Sequence, residues 1–105
     1  MTPSADRIRV ALAALETDAV FWTRVAAELR GAAAAARADT AVAPSAFSLF
    51  GGPYATGYRA LSDHVVALLE DGAANAESTA AALRASAAAY AADDASGAHR
   101  LQGVY

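Results

Sequence analysis

The 105-residue sequence contains no cysteine and no lysine. Without cysteine, the chain forms neither a disulfide nor a thiolate nucleophile or metal ligand. All eight basic residues are arginine and the formal net charge is −3, so the chain lacks the basic patch typical of nucleic-acid binding. It also lacks an apolar run long enough for a transmembrane helix, and its first ten residues lack the apolar segment of a secretory signal peptide.

Large apolar side chains are scarce too. Of the 59 hydrophobic residues, 33 are alanine, which buries little surface. A single small domain with so few large side chains has a thin core, and we expect it to need a partner or a second copy of itself. Because alanine is the strongest helix former, the composition favours an all-α fold.

Apolar residues alternate at spacings of four and three along the first third of the chain, as on one face of a helix. Thr2 with Pro3 in the first turn, or else Ser4, can begin this helix, and the pattern predicts a helix over about 4–38. The stripe consists of Ile8, Leu12, Leu15, Ala19, Trp22, Ala26, Leu29, Ala33 and Ala36.

The helical period is lost over 39–52, which we interpret as an inter-helix loop whose turn is Phe50, Gly51, Gly52, Pro53 and Tyr54. Pro53 suits the first turn of a second helix, predicted over about 53–96, and residues 97–105 are predicted to form a flexible tail after Gly97. The predicted inward stripe of this helix is Tyr54, Tyr58, Leu61, Val65, Leu68, Gly72, Ala76, Ala80, Leu83, Ala87 and Tyr90.

Two long helices joined by one loop predict an antiparallel hairpin that forms a single domain over 1–105. Some large apolar residues lie beside or outside the two stripes. We interpret them as an interface through which two hairpins form a four-helix bundle, although a broad stripe with half-exposed residues explains them as well. The predicted partner interface is Val20, Phe21, Trp22, Val66 and Leu69.

The sequence offers little for catalysis. His64 and Asp71 can share a helical face, but two groups make neither a tetrahedral metal site nor a triad. The acid pairs 70–71 and 93–94 are adjacent in sequence, so on a helix the two carboxylates of each pair point about 100° apart. We therefore predict a protein that is not an enzyme, with no catalytic, cofactor or metal site.

Tyr90 and Asp94 stand one helical turn apart in "LRASAAAYAADD". Together with the two Ala-rich helices and the "GGPYATGYRAL" start of the second helix, this segment resembles the EspC-like, ESX secretion-associated proteins of actinobacteria. The resemblance implies a type VII secretion substrate whose export signal, Tyr-x-x-x-Asp, corresponds to Tyr90 and Asp94. The related Trp-x-Gly proteins carry tryptophan in the inter-helix turn, whereas Trp22 lies in the first helix.

The resemblance further implies a helical-hairpin homodimer or heterodimer that acts by protein contact and meets the type VII machinery. Such a protein is cytoplasmic before export, and then secreted or on the cell surface. An alternative is a targeting partner or chaperone that packs on the helical N-terminal domain of a larger secreted toxin. A small-ligand-binding bundle would need convergent polar groups inside, which the two stripes lack.

Overall fold

The structure is a computed structural model that describes the backbone of residues 5–40 and 52–104 and the side chains of 5–39 and 52–95. Two helices make up these ranges, α1 at Ala5–Thr40 and α2 at Gly52–Val104, and no strand occurs within them. The predicted all-helical pair is confirmed. The predicted loop falls mostly on 41–51, which lie outside the described residues.

The helix ends agree with the predictions at three of four points. Helix α1 begins with Asp6 in its first turn and ends with Arg37 in its last, an arrangement that complements the helix dipole. Helix α2 begins at Gly52, so Pro53 lies in its first turn as expected. The predicted end near residue 96 is wrong, because the helical backbone continues through Gly97 to Val104 where a flexible tail was predicted. One glycine costs only about 1 kcal/mol in a helix interior, which does not end a long helix.

The chain divides into two compact units, each built from antiparallel segments of both helices. The terminal unit contains 5–23 of α1 and 77–104 of α2, and there Arg84 Nη2 donates a hydrogen bond to Thr23 Oγ1 at 3.1 Å. The loop-side unit contains 24–40 and 52–76, and there Arg37 forms an ion pair with Glu70. Both cross-helix contacts are solvent-exposed.

The inward stripe predicted for α1 is confirmed at every position from Ile8 to Ala36, each of which is buried or half-buried. Most of the buried positions are alanine, so the two helices of each unit meet through small side chains. In the described part of the chain no side chain larger than valine is buried. The buried residues are Ala19, Ala26, Ala33, Ala55, Val66, Ala73, Ala76, Ala80 and Ala87.

The stripe predicted for α2 is right over 72–87 and wrong over 54–68. In the loop-side unit the large residues predicted to face α1 are exposed, and the next residue along the helix usually takes the inward place. The physical reason is the alanine content of α1: Ala26 and Ala33, only 1% and 2% exposed, allow a close helix approach that favours smaller side chains opposite them and leaves no room for tyrosine. The inward positions are instead Ala55, Ser62, Val66, Leu69 and Ala73.

Candidate recognition surface

Tyr90 and Asp94 both lie within α2, in the terminal unit. Residues four apart on a helix share one face, so the phenol ring and the carboxylate project from the same face of α2. Both side chains are exposed, Tyr90 by 63%. The inward position predicted for Tyr90 at the end of the α2 stripe is therefore wrong, and its ring is accessible to another molecule.

Tyr90 forms one side of an open groove of about 520 Å³ against the first half of α1. The groove surface is mainly apolar, with charged side chains contributed by Arg7 and Asp18. The residues that line it on α1 are Arg7, Ile8, Ala11, Leu12, Ala14, Leu15 and Asp18. A molecule that contacts the Tyr90 ring on this side therefore also meets α1.

Asp94 and its neighbour Asp93 are both exposed. Within the described side chains, no hydrogen bond or ion pair joins Asp94 to another residue. A carboxylate in this setting retains its full capacity to accept hydrogen bonds from a partner. The pair thus offers an aromatic ring and an acceptor on one helical face.

The predicted partner interface is only partly on the surface. Val20 and Phe21 are 53% and 54% exposed in the terminal unit, and Trp22 is half-buried. The rings of Phe21 and Trp22 meet edge to face, with centroids 5.5 Å apart. In the loop-side unit Leu69 is half-buried, and Val66 is only 6% exposed. Because Val66 packs inside the hairpin, the structure differs from the prediction at this residue, which is not open to a partner.

A larger exposed surface lies on α2 and is formed by residues that the sequence pattern had placed inside the hairpin. We call this surface the α2 apolar face: Tyr54, Tyr58, Leu61, Val65 and Leu68. Their exposed fractions are 76%, 39%, 63%, 41% and 57%. A weak signal was present in the sequence, since Ala55, Ser62, Val66 and Leu69 each directly follow one of these residues, although Arg59 interrupts this second row. Of the predicted inter-helix turn, Gly52, Pro53 and Tyr54 open α2, while Phe50 and Gly51 lie outside the described residues.

The described ranges contain no group of three or more potential metal ligands. No polar or charged side chain is buried there, so these ranges provide no desolvated acid or base. Neither described helix is apolar over a stretch sufficient to cross a bilayer. The recognisable features in these ranges are therefore surfaces: the Tyr90–Asp94 pair with its groove, and the α2 apolar face.

Comparison with known protein families shows to which family the chain belongs. The family model described as "Excreted virulence factor EspC, type VII ESX diderm" matches residues 4–103. The chain belongs to the EspC family. The EspC match spans both helices, whereas the two quoted segments that carry the resemblance both belong to the second helix. No curated protein and no solved structure matched the chain significantly.

Membership of the EspC family confirms the resemblance drawn from the sequence and makes this a type VII secretion-related protein. The family description names an excreted factor and no enzymatic reaction. In the EspC-family chain described here, both segments quoted for the resemblance lie on α2, at its start and in its second half.

Proposed function

We propose that this protein is a substrate of a type VII secretion system, with Tyr90 and Asp94 as the export signal, and that it acts by protein–protein contact and not by catalysis. The observation that supports this proposal most directly is the exposed Tyr90–Asp94 pair on one face of α2 in a chain of the EspC family. The protein is cytoplasmic before export and secreted or cell-surface afterwards, as a homodimer or a heterodimer with another hairpin.

The environment of the pair supports a role in recognition. A residue kept for folding would bury its ring or pair its charge, whereas Tyr90 is 63% exposed and Asp94 is exposed without a side-chain partner in the described ranges. A component of the secretion machinery that binds the pair would stack on the ring and donate hydrogen bonds to the carboxylate. The groove between Tyr90 and α1 provides an apolar surface for that component beside the signal.

A second candidate function is that of a targeting partner or chaperone for the helical N-terminal domain of a larger secreted toxin. The α2 apolar face favours this alternative, because exposed large side chains at four-three spacing suit packing against another helix. Co-purification of the chain with the product of a neighbouring toxin gene would favour it, as would export of that toxin that depends on this chain.

The proposal is tested by export from a host that carries the cognate type VII system. Asp94→Asn and Tyr90→Ala should remain inside the cell, whereas Asp93→Asn, the same chemical change on the adjacent exposed residue, should be exported normally. Tyr90→Phe keeps the aromatic ring and removes the hydroxyl group, so its export shows whether the ring alone is enough for recognition. Circular dichroism must give wild-type helicity for each variant. Normal export of both Asp94→Asn and Tyr90→Ala would overturn the assignment of the signal.

We expect Asp94→Asn to fold as the wild-type protein does. Helix α2 continues to Val104, so Asp94 is more than two turns from the helix end, beyond the range in which the dipole acts on a carboxylate. With an exposed side chain and no partner in the described ranges, its replacement should change the free energy of unfolding by less than about 0.5 kcal/mol. A loss of export can then be attributed to recognition.

A further inference from the structure

The groove beside Tyr90 runs along the first half of α1 and lies wholly within the terminal unit. The first and last α1 residues that line it, Arg7 and Asp18, are eleven positions apart, which is roughly 16 Å or three helical turns. Ala11 and Ala14 line it with no more than a methyl group each, so the space beside the ring stays open. Its half-buried aliphatic residues are Ile8, Leu12 and Leu15.

We propose that this groove is the second part of the recognition site, and that it binds one amphipathic helix of the secretion-machinery component that contacts Tyr90 and Asp94. The bound helix packs an apolar stripe of about three turns into the groove and places a lysine or arginine beside Asp18. This inference rests on the proposed export function and deepens it, because it names the kind of partner segment that the signal meets. It adds Ala14 and Asp18 of α1 to the residues that determine recognition.

The apolar lining favours a helix over an extended peptide. A peptide backbone that loses water against an apolar surface must find hydrogen-bond partners elsewhere. A helix satisfies its own backbone groups, whereas no polar or charged side chain is buried within the described ranges to serve an extended strand. Apolar residues on one face of such a helix can contact Ile8, Leu15 and the Tyr90 ring together.

A small molecule fits the groove less well than a helix does. Sites for small molecules enclose most of the ligand and place a few polar groups around it. This groove is open and mainly apolar, and its charged residues are Arg7 and Asp18. A fatty acid would need a cation for its carboxylate, but Arg7 already has an interaction within the chain.

The charges at the groove favour a basic partner. Asp18 is exposed, and within the described side chains no hydrogen bond or ion pair joins it to another residue. The same holds for Asp94, one turn along α2 from Tyr90. Carboxylates in this setting attract a lysine or arginine and repel an acidic segment. A second copy of this chain, whose net charge is −3, is therefore a poorer match.

The groove is also continuous with the candidate signal. Tyr90 belongs to both, so a molecule that stacks on the groove side of the ring lies against α1 at the same time. Residues of α1 that have no place in the Tyr-x-x-x-Asp pattern should therefore affect recognition, which separates this inference from the signal alone.

Filling the groove tests the inference by export from a host with the cognate system. Ala14→Phe places a ring in the groove and should lower export by about tenfold or more, the scale of losing one buried anchor. Ala13→Phe, the same change at an exposed neighbour that does not line the groove, should be exported normally. Circular dichroism must show wild-type helicity for both variants. If Ala14→Phe fails to fold, the charge variants decide.

Reversing the charge at the groove tests the basic character of the partner. Asp18→Arg should lower export, whereas Glu16→Arg, the same reversal at an exposed acid outside this groove, should not. Equal export of the two variants would contradict the inference.

A synthetic probe tests the groove on the purified full chain. The probe is an amphipathic helical peptide with a leucine stripe edged by lysines, and its control carries glutamate at each lysine position. The lysine peptide should bind at least about tenfold more tightly than the glutamate peptide, and Ala14→Phe and Asp18→Arg should each remove that binding. Equal binding of both peptides, or dodecanoate binding at the groove in place of the lysine peptide, would overturn the inference.

The absence of cysteine allows the partner to be identified in the host. Ala14→Cys provides a unique thiol for a short photo-cross-linker, with Ala13→Cys as the matched control. Sequencing of the product should show a machinery component, joined at a helical segment with an apolar stripe and a basic edge, for Ala14→Cys alone. Attachment to a second copy of this chain or to an acidic segment, or equal products from both variants, would overturn the inference.

The two proposals can fail separately. If Tyr90→Ala and Asp94→Asn stay inside the cell while Ala14→Phe and Asp18→Arg are exported normally, the signal stands and the groove inference is wrong. If Tyr90→Ala and Asp94→Asn are exported normally, the signal is wrong. Cross-linking at Ala14→Cys then decides the groove: the expected product keeps the groove as a contact with the machinery, and its loss overturns that contact as well.

Discussion

The side chain of Leu29 on α1 lies directly over Gly72 on α2. A Cβ atom added at position 72 would stand 3.3 Å from Leu29 Cδ1, closer than ordinary van der Waals contact. Gly72 therefore has a packing role within the loop-side unit, because the missing side chain gives a half-buried leucine room against the helix backbone. By contrast, a Cβ at Gly31, also in the middle of a helix, would meet nothing within 4 Å.

The first prediction compares these two glycines. Gly31→Ala should raise the free energy of unfolding by about 0.5–1 kcal/mol, because alanine lowers the backbone entropy of the unfolded helix segment without a clash. Gly72→Ala makes the same intrinsic gain but displaces the end of Leu29, so its net effect should be clearly smaller. Urea denaturation of both variants measures the difference. Equal stabilisation by the two changes would contradict the packing of Leu29 on Gly72.

The second prediction concerns the alanine contact between the helices. Ala80 is 1% exposed, whereas its neighbour Ala81 is exposed. Ala80→Leu should destabilise the protein by about 1–3 kcal/mol, because the larger side chain separates two close helices. Ala81→Leu, the same change one residue away, should stay within about 0.5 kcal/mol of wild type. Thermal unfolding followed by circular dichroism compares the two, and a reversed order would mean that the α2 register is different.

The third prediction concerns the ion pair between Arg37 and Glu70. The side chains remain 60% and 43% exposed, so water and salt weaken the attraction between them. A double-mutant cycle with Arg37→Gln and Glu70→Gln should give a coupling energy of about 0.2–1 kcal/mol that falls as salt is added. The cycle is needed because Arg37 has a further contact, so the single variant measures more than the pair. A larger coupling that salt does not reduce would mean that the pair is shielded from solvent.

The sequence predicts α1 better than α2 for a physical reason. In α1 a single four-three stripe combines most of the large residues with the alanines, so the spacing selects one inward face even though Val20 and Phe21 lie outside it. Over 54–69 of α2 the large residues form one stripe, and the adjacent row, which contains Arg59 and Ser62, is less hydrophobic, so hydrophobicity alone selects the large stripe as the inward face. The choice depends on how close α1 comes, a tertiary property set by Ala26 and Ala33 on the other helix.

The candidate signal could be located from the sequence, whereas the surfaces beside it could not. The spacing of Tyr90 and Asp94 together with the family resemblance singles out the pair in the sequence, and both side chains are exposed in the structure. The groove beside Tyr90 needs the packing of 7–18 of α1, which no pattern within α2 contains. The end of α2 was misplaced because Gly97 is a common helix terminator, yet its cost inside a helix is small compared with the propensity of the surrounding residues.

The alanine contact between the helices also determines how the single chain responds to heat. The heat-capacity change of unfolding grows with the apolar surface that becomes hydrated, and the buried residues of the described ranges are small. A small heat-capacity change flattens the dependence of folding free energy on temperature, and a small unfolding enthalpy widens the melting interval. A single hairpin should therefore lose its helices gradually on warming, over a broad range of temperature, instead of melting at one sharp temperature.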